Sequence, residues 1–154
     1  MTNTNYKTIA SKIKFEGRAF IGGKYVDAID GGKFETINPA TGEVLCSVAK
    51  CNSKDVDLAV KASRKAFNSG IWSRTSPEFR KDILLKFAEL LRKHGVENSV
   101  LESVDTGKLI GDCINEVAND APMHFQWYGE LIDKVFGKIG STDPSITSLI
   151  VKEP

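Results

Sequence analysis

The 154-residue chain carries 21 basic and 20 acidic residues, a formal net charge of +1, and is 41% hydrophobic and 27% charged. That is the composition of an ordinary globular chain, long enough for one domain with a core. It has no basic footprint for nucleic acid, and no window approaches the roughly 18 consecutive apolar residues of a membrane span, so both partner classes are excluded.

The opening stretch "MTNTNYKTIASKIKFEG" has neither an apolar h-region nor a cleavage-site pattern, so it is not a secretory signal. Tyr6, Ile9 and Ile13 recur at helical spacing, and residues 1–17 read as an amphipathic lead-in helix. From Arg18 to about Ala49 the pattern predicts four antiparallel strands. "RAFI" and "KYVDA" are joined by Gly22-Gly23, a two-residue hairpin turn in which both residues can take positive φ. "FETIN" and "EVLCSVA" flank the turn from Pro39 to Gly42, with Val44, Cys46 and Val48 expected on one face.

Helices are expected over residues 53–137. Asn52 or Ser53 caps a helix whose Val56, Ala59, Val60, Ala66 and Phe67 form one apolar stripe, and Gly70 stops it. Ser76-Pro77-Glu78 starts the next, with Ile83, Leu84, Phe87, Leu90 and Leu91 as its buried face. Arg92-Lys93-His94-Gly95 closes it, which gives His94 a helix-end role. A shorter helix runs from about Val96 to Val104 and ends at Gly107. The last helix carries Ile114, Val117, Ala118, Ala121, Phe125, Tyr128, Ile132 and Val135 in steps of three and four. Pro122 kinks it or starts it anew, and Gly137 and Gly140 end it. Ser148 to Val151 then reads as a strand that no further apolar run follows. Its open backbone groups need a partner from elsewhere in the chain or from another chain.

Chemistry-bearing patterns are sparse. Cys46, Cys51 and Cys113 are odd in number, form no CxxC, and lie at no metal-ligand spacing from His94 or His124. They read as reduced, buried or half-buried thiols of a cytoplasmic protein, with a catalytic thiol as the alternative. No glycine-rich loop lies between a strand and a helix, so nothing cradles phosphate. Gly31-Gly32, like Gly22-Gly23, reads as part of a hairpin turn. Two helical histidines make no triad. Asp105, ahead of Thr106-Gly107-Lys108, either caps a turn or ligates an ion or ligand.

The stretches "FIGGKYVDA", "FETINPATGEVLCSVA", "DVDLAVKASRKAFNSGIWS", "RKDILLKFAELL", "LESVDTGK" and "WYGELIDKVFGK" follow one another in an order that resembles the N-terminal part of an NAD(P)-dependent aldehyde dehydrogenase. Each motif alone is weak, and their shared order and spacing carry the resemblance, which runs from about Arg18 to Pro154. Within the family the chain is most similar to the γ-glutamyl-γ-aminobutyraldehyde dehydrogenase type, which the lead-in helix also matches. Leu109 departs from the Pro that usually follows "TGK", which loosens the start of the long helix. The implied fold class is α/β, with antiparallel hairpins followed by a helical layer. Residues 18–137 would be the N-terminal part of the cofactor-binding domain, and residues 138–154 the start of an oligomerisation arm. The Rossmann-type core is absent from this chain.

For a complete enzyme the resemblance implies covalent chemistry. A thiolate attacks the aldehyde, hydride passes to NAD or NADP, and water activated by a carboxylate releases the acid. The nucleophile, the base, an oxyanion-stabilising Asn and the cofactor strands do not match any part of this sequence. The resemblance therefore places no catalytic and no cofactor-binding residue here, and the chain reads as a truncated or partial product, inactive and without NAD by itself. The implied partners are the remainder of the subunit and, once complete, identical subunits in a dimer or tetramer. Two sites carry over. The backbone carbonyls of Thr36 and Ile37 in "TINP" and the carboxylate of Asp105 match ligands of a monovalent cation, which suits hard oxygens. Glu116 and Asp120, four residues apart on one helix face, match positions bordering the substrate tunnel. Carboxylates there favour a polyamine-derived amino-aldehyde; the plainer reading is a solvated acidic edge. The competing function is a non-catalytic module that binds full-length subunits through its arm.

Overall fold

The computed structural model describes residues 4–152, and its first helix is short. α1 spans Tyr6–Ala10, capped by Asn5, whose side chain accepts from the Thr8 N–H at 3.1 Å. The lead-in helix expected over 1–17 thus shrinks to five residues, its first three positions lying outside the described residues. The reason lies at Gly17. Its carbonyl accepts from the Ala49 N–H at 2.7 Å, and a Cβ there would sit 2.0 Å from the Ser47 oxygen, so this stretch already runs beside a strand.

β1 (Ala19–Ile21) and β2 (Lys24–Val26) form one hairpin, with Gly22 and Gly23 at φ 61° and 82° as such a turn demands. β3 (Lys33–Ile37) and β4 (Val44–Ala49) form a second, separate two-stranded sheet around the Pro39–Gly42 turn. Gly31-Gly32 connects the two hairpins and closes neither. The register of the second skips Leu45, because Thr36 faces Cys46 while Ile37 faces Val44. This bulge interrupts the two-residue alternation, so Val44 is exposed while Cys46 and Val48 are half-buried.

α2 (Ser53–Ser69) begins with a capping box. The Asn52 side chain accepts from the Lys54 N–H, and the Asp55 carboxylate accepts from the Asn52 N–H at 2.9 Å. Asp55 is buried, and its other oxygen accepts from the Ile29 N–H at 2.9 Å, fastening the loop after β2 to the helix. Gly70, at φ 71°, ends α2. The apolar stripe of this helix stays open: Val56, Val60 and Phe67 remain 56%, 58% and 49% exposed.

α3 (Pro77–Lys93), capped by Ser76, packs on α6 (Ala121–Leu131). Phe87 meets Phe125 edge-on at 4.7 Å, and a Cβ on buried Gly129 would lie 3.1 Å from Leu84 Cβ. The small residues Ala88 and Gly129, with Pro122, occupy the buried positions. Close approach there leaves Ile83, Phe87 and Leu90 at the rim, not in the buried face expected of them; Leu84 and Leu91 are half-buried.

Gly95 does not terminate α3. It starts α4 (Gly95–Thr106), with His94 as the C-cap of one helix and the N-cap of the other. Its role is close approach, since a Cβ would lie 2.8 Å and 2.9 Å from the Cβ and Cα of Ala118. Gly107, at φ 76°, ends α4 as expected.

The expected last helix is three segments: α5 (Ile110–Cys113), a π-helical segment (Ile114–Asp120) and α6. The Ala121 N–H reaches back to the Glu116 carbonyl, five residues away, immediately before Pro122. A proline cannot donate into an α-helical ladder, and the wider turn ahead of it accommodates the gap. α6 ends at Leu131, well before Gly137 and Gly140. Those glycines belong to the last hairpin, in which β5 (Lys138–Gly140) pairs antiparallel with β6 (Ser148–Ile150). The final strand therefore finds its partner inside the chain.

The accessible surface is 11863 Å² for a 16.9 kDa chain, where a closed monomer of that mass exposes roughly 7,700 Å². Among the described residues no helix is long and apolar enough to cross a membrane.

Candidate functional site

The residues proposed from sequence fall into two groups, one on the π-helical segment and one where β3 meets α4. At its C-terminal end, the Thr36 hydroxyl donates to Asp105 Oδ1 at 3.2 Å, which brings β3 against the last turn of the helix. Asp105 therefore receives a strand residue, and among the described residues its side chain makes no turn-capping hydrogen bond. The two line a groove of about 540 Å³ with Glu16, Glu102, Cys46 and Phe34. Ile37 follows Thr36 at the end of β3, half exposed, beside the bulge. Among the described residues no group of three or more His, Cys, Asp or Glu is placed to hold a metal ion, and the Glu16 carboxylate is already paired with Arg18.

Glu116 and Asp120 both lie in the π-helical segment and are exposed. They are not equivalent. Glu116 is ion-paired with Lys108, the residue after Gly107. The Asp120 side chain has no hydrogen bond or ion pair among the described residues, and its backbone carbonyl contacts His124 Nδ1 at 2.8 Å. Glu116 holds the Lys108 ammonium above its ordinary pKa, chiefly through their hydrogen bond. No sequence spacing announces Lys108, because the pair spans Leu109 and the whole of α5.

Cys113 is buried and burial pushes its thiol up, which disfavours a nucleophilic thiolate. Cys46 is half-buried, while Cys51 is exposed, contrary to the expectation of three buried or half-buried thiols. His94 Nδ1 lies 3.7 Å from Glu97 at the α3–α4 junction. Glycines with positive φ close turns or helix C-termini at positions 22, 23, 31, 42, 70 and 107. A hollow of about 640 Å³ between the Gly22-Gly23 turn and α2 is lined by none of the candidate residues.

The aldehyde dehydrogenase family matches residues 25–154. Aminoacetaldehyde dehydrogenase of Pseudomonas aeruginosa is 38% identical over 154 residues, which are 100% of this chain and 31% of that protein. The crystal structure of γ-glutamyl-γ-aminobutyraldehyde dehydrogenase from Burkholderia cenocepacia superposes with a TM-score of 0.90 at 40% identity, covering 94% of this chain and 29% of that one. Indole-3-acetaldehyde dehydrogenase of P. syringae, solved in complex with NAD+, gives a TM-score of 0.89 at 38% identity, again over 94% and 29%. The chain thus spans about 30% of the length of these relatives.

Proposed function

The chain belongs to the aldehyde dehydrogenase family, and from that premise we propose that it is the N-terminal portion of a subunit oxidising an amino-aldehyde to its acid with NAD or NADP. The observation that carries the substrate class is the pair of exposed carboxylates, Glu116 and Asp120, on one segment. Relatives named for amino-aldehydes support it. An ammonium beside two exposed carboxylates gains on the order of 1 kcal/mol, up to about tenfold in kcat/KM, and less at high salt.

In this reading the chain contributes walls and not reacting groups. Its residues position the entrance and hold part of a monovalent cation site at Thr36, Ile37 and Asp105. The nucleophile, the base and the cofactor site belong to the rest of the subunit. The isolated chain with NAD and a panel of aldehydes should form no NADH above a blank; stoichiometric turnover would refute this division of labour. In the full-length enzyme, replacing Glu116 with Gln and Asp120 with Asn together should remove most preference for an amino-aldehyde over the unsubstituted aldehyde. An unchanged ratio reduces the pair to a solvated edge.

One observation favours a second reading, a module that binds full-length subunits. The β5–β6 hairpin is a two-stranded sheet whose Ile139, Leu149 and Ile150 are 78%, 65% and 56% exposed, so it offers apolar edges for pairing in a dimer or tetramer. Co-expression with a tagged full-length subunit, followed by pull-down, tests it. Retention that survives Ile139→Lys rules out this hairpin as the contact.

A further inference from the structure

We propose that Asp30-Gly31 is a modification site, a step that isomerises from aspartate to isoaspartate, and that the Asn52 amide at the head of α2 guards it. The step is exposed, and it is the one place in the sequence where Asp precedes Gly. The reaction needs no reagent but water. The Gly31 nitrogen attacks Asp30 Cγ and forms a C–N bond, the nitrogen loses its proton, and a carboxyl oxygen leaves as water. A second water then opens the five-membered imide. Addition at Cγ breaks the new bond and restores aspartate. Addition at the original main-chain carbonyl breaks the old C–N bond and leaves the chain running through Cγ, as isoaspartate. One water is released and one consumed, so nothing is oxidised or reduced. Glycine exposes the attacking nitrogen because it has no Cβ, and a Cβ on Gly31 would meet nothing within 4 Å.

Folding engages each group that this chemistry needs. The Gly31 N–H donates to the Ala28 carbonyl at 2.8 Å, which holds the nucleophile. Asp30 Oδ1 accepts from the Gly32 N–H at 2.9 Å, and Oδ2 accepts from Asn52 Nδ2 at 2.9 Å. The Gly32 bond first and the Asn52 bond second hold the carboxyl below its ordinary pKa. An ionised carboxylate has no oxygen ready to leave as water. Asn52 serves twice, since its Oδ1 caps α2 by accepting from the Lys54 N–H at 2.8 Å while its Nδ2 holds Asp30. Gly32 belongs to the same clamp, because a Cβ there would lie 2.9 Å from Asp30 Oδ1. Asp55 fastens the neighbouring Ile29 N–H to the helix. The guard therefore arises only where the loop between the two hairpins meets α2. Isomerisation would lengthen that loop by one main-chain carbon and take the carboxylate out of the clamp.

The test incubates the whole 154-residue chain warm at neutral pH and follows isoaspartate at position 30. Chromatography and electron-transfer fragmentation of the tryptic peptide of residues 25–33 separate the isomers. A free peptide of residues 28–34, "AIDGGKF", supplies the unguarded rate. The folded chain should isomerise more slowly than this peptide by about tenfold or more, the combined effect of its hydrogen bonds. Asn52→Ser keeps a capping oxygen and loses the amide donor, and should speed the chain about threefold to tenfold, the range of one lost hydrogen bond. Gly32→Ala leaves the cap of α2 untouched and should also speed it, by displacing the carboxylate from the Gly32 N–H. Asp30→Glu should leave the position unmodified, since its side chain no longer closes a five-membered ring. A peptide that forms no isoaspartate would overturn the site. A parent chain as fast as the peptide, or an unchanged rate in either Asn52→Ser or Gly32→Ala, would overturn the guard.

Discussion

The Thr36 hydroxyl donates to the Asp105 carboxylate at 3.2 Å, joining β3 to the end of α4 across 69 residues of sequence. Thr36→Val removes this bond and should lower stability by about 0.5–1.5 kcal/mol in urea denaturation. If Asp105 also ligates a cation, the full-length enzyme should show a rise in Tm with Na+ or K+ that Asp105→Asn abolishes. Thr36→Val should keep that rise, because it leaves the main-chain carbonyl in place. A cation response unaffected by Asp105→Asn would remove Asp105 from the ligand set.

Gly95 lies against Ala118 with no room for a side chain. Gly95→Ala should destabilise by about 1–3 kcal/mol, the usual cost of overpacking. Gly111 in α5 is the control, since a Cβ there meets nothing within 4 Å. Gly111→Ala should be neutral or stabilise by up to about 1 kcal/mol. Equal midpoints for the two variants would contradict the close helix crossing.

Asp55 accepts from two backbone N–H groups, those of Ile29 and Asn52. Asp55→Ala strands both donors and should cost about 1–3 kcal/mol; Asp55→Asn keeps one acceptor oxygen and should fall between. Hydrogen exchange at the Ile29 amide should quicken in Asp55→Ala. Parent-like protection there would show that this carboxylate does not hold the loop.

Arg18 holds the Glu16 carboxyl far below its ordinary 4.5, at about 2, first through its side-chain hydrogen bonds and then through its backbone N–H. A depressed folded-state pKa means that the pair's contribution is fully present above the unfolded value. It is lost as pH falls from there through about 2. An NMR titration of Glu16 should show a midpoint near 2, returning to the ordinary carboxylate range in Arg18→Met. The acid limb of stability should flatten in Glu16→Gln across the same window. A parent midpoint near 4.5 would break the assignment.

The chain exposes 11863 Å² against the roughly 7,700 Å² of a closed monomer of its mass. Alone in solution it should bind an apolar dye strongly or self-associate, with α2 contributing through Val56, Val60 and Phe67. Val60→Lys should weaken dye binding. A monomer by light scattering that ignores the dye would show that this surface closes on itself.

Features within a few residues of each other are legible in the chain: the Gly22-Gly23 hairpin, the Asn52 and Ser76 caps, and the stops at Gly70 and Gly107. Each depends on chemistry local to a turn, where a hydroxyl, an amide or a missing Cβ acts on neighbours up to four positions away. The family is legible too, because motif order survives without knowledge of contacts. At the candidate site the sequence supplies Asp105, Glu116 and Asp120 as residues, but not their partners. Thr36 beside Asp105, Lys108 beside Glu116, and Gly95 beneath Ala118 arise only when separate elements meet. The skipped Leu45 is likewise an adjustment of backbone register, whereas the π-turn before Pro122 answers to the missing proline N–H. α2 shows the division most plainly. Its apolar periodicity fixes a helix with one greasy face, while the packing alone determines that Val56, Val60 and Phe67 stay uncovered, since burial is a property of what stands opposite a residue and not of the residue itself.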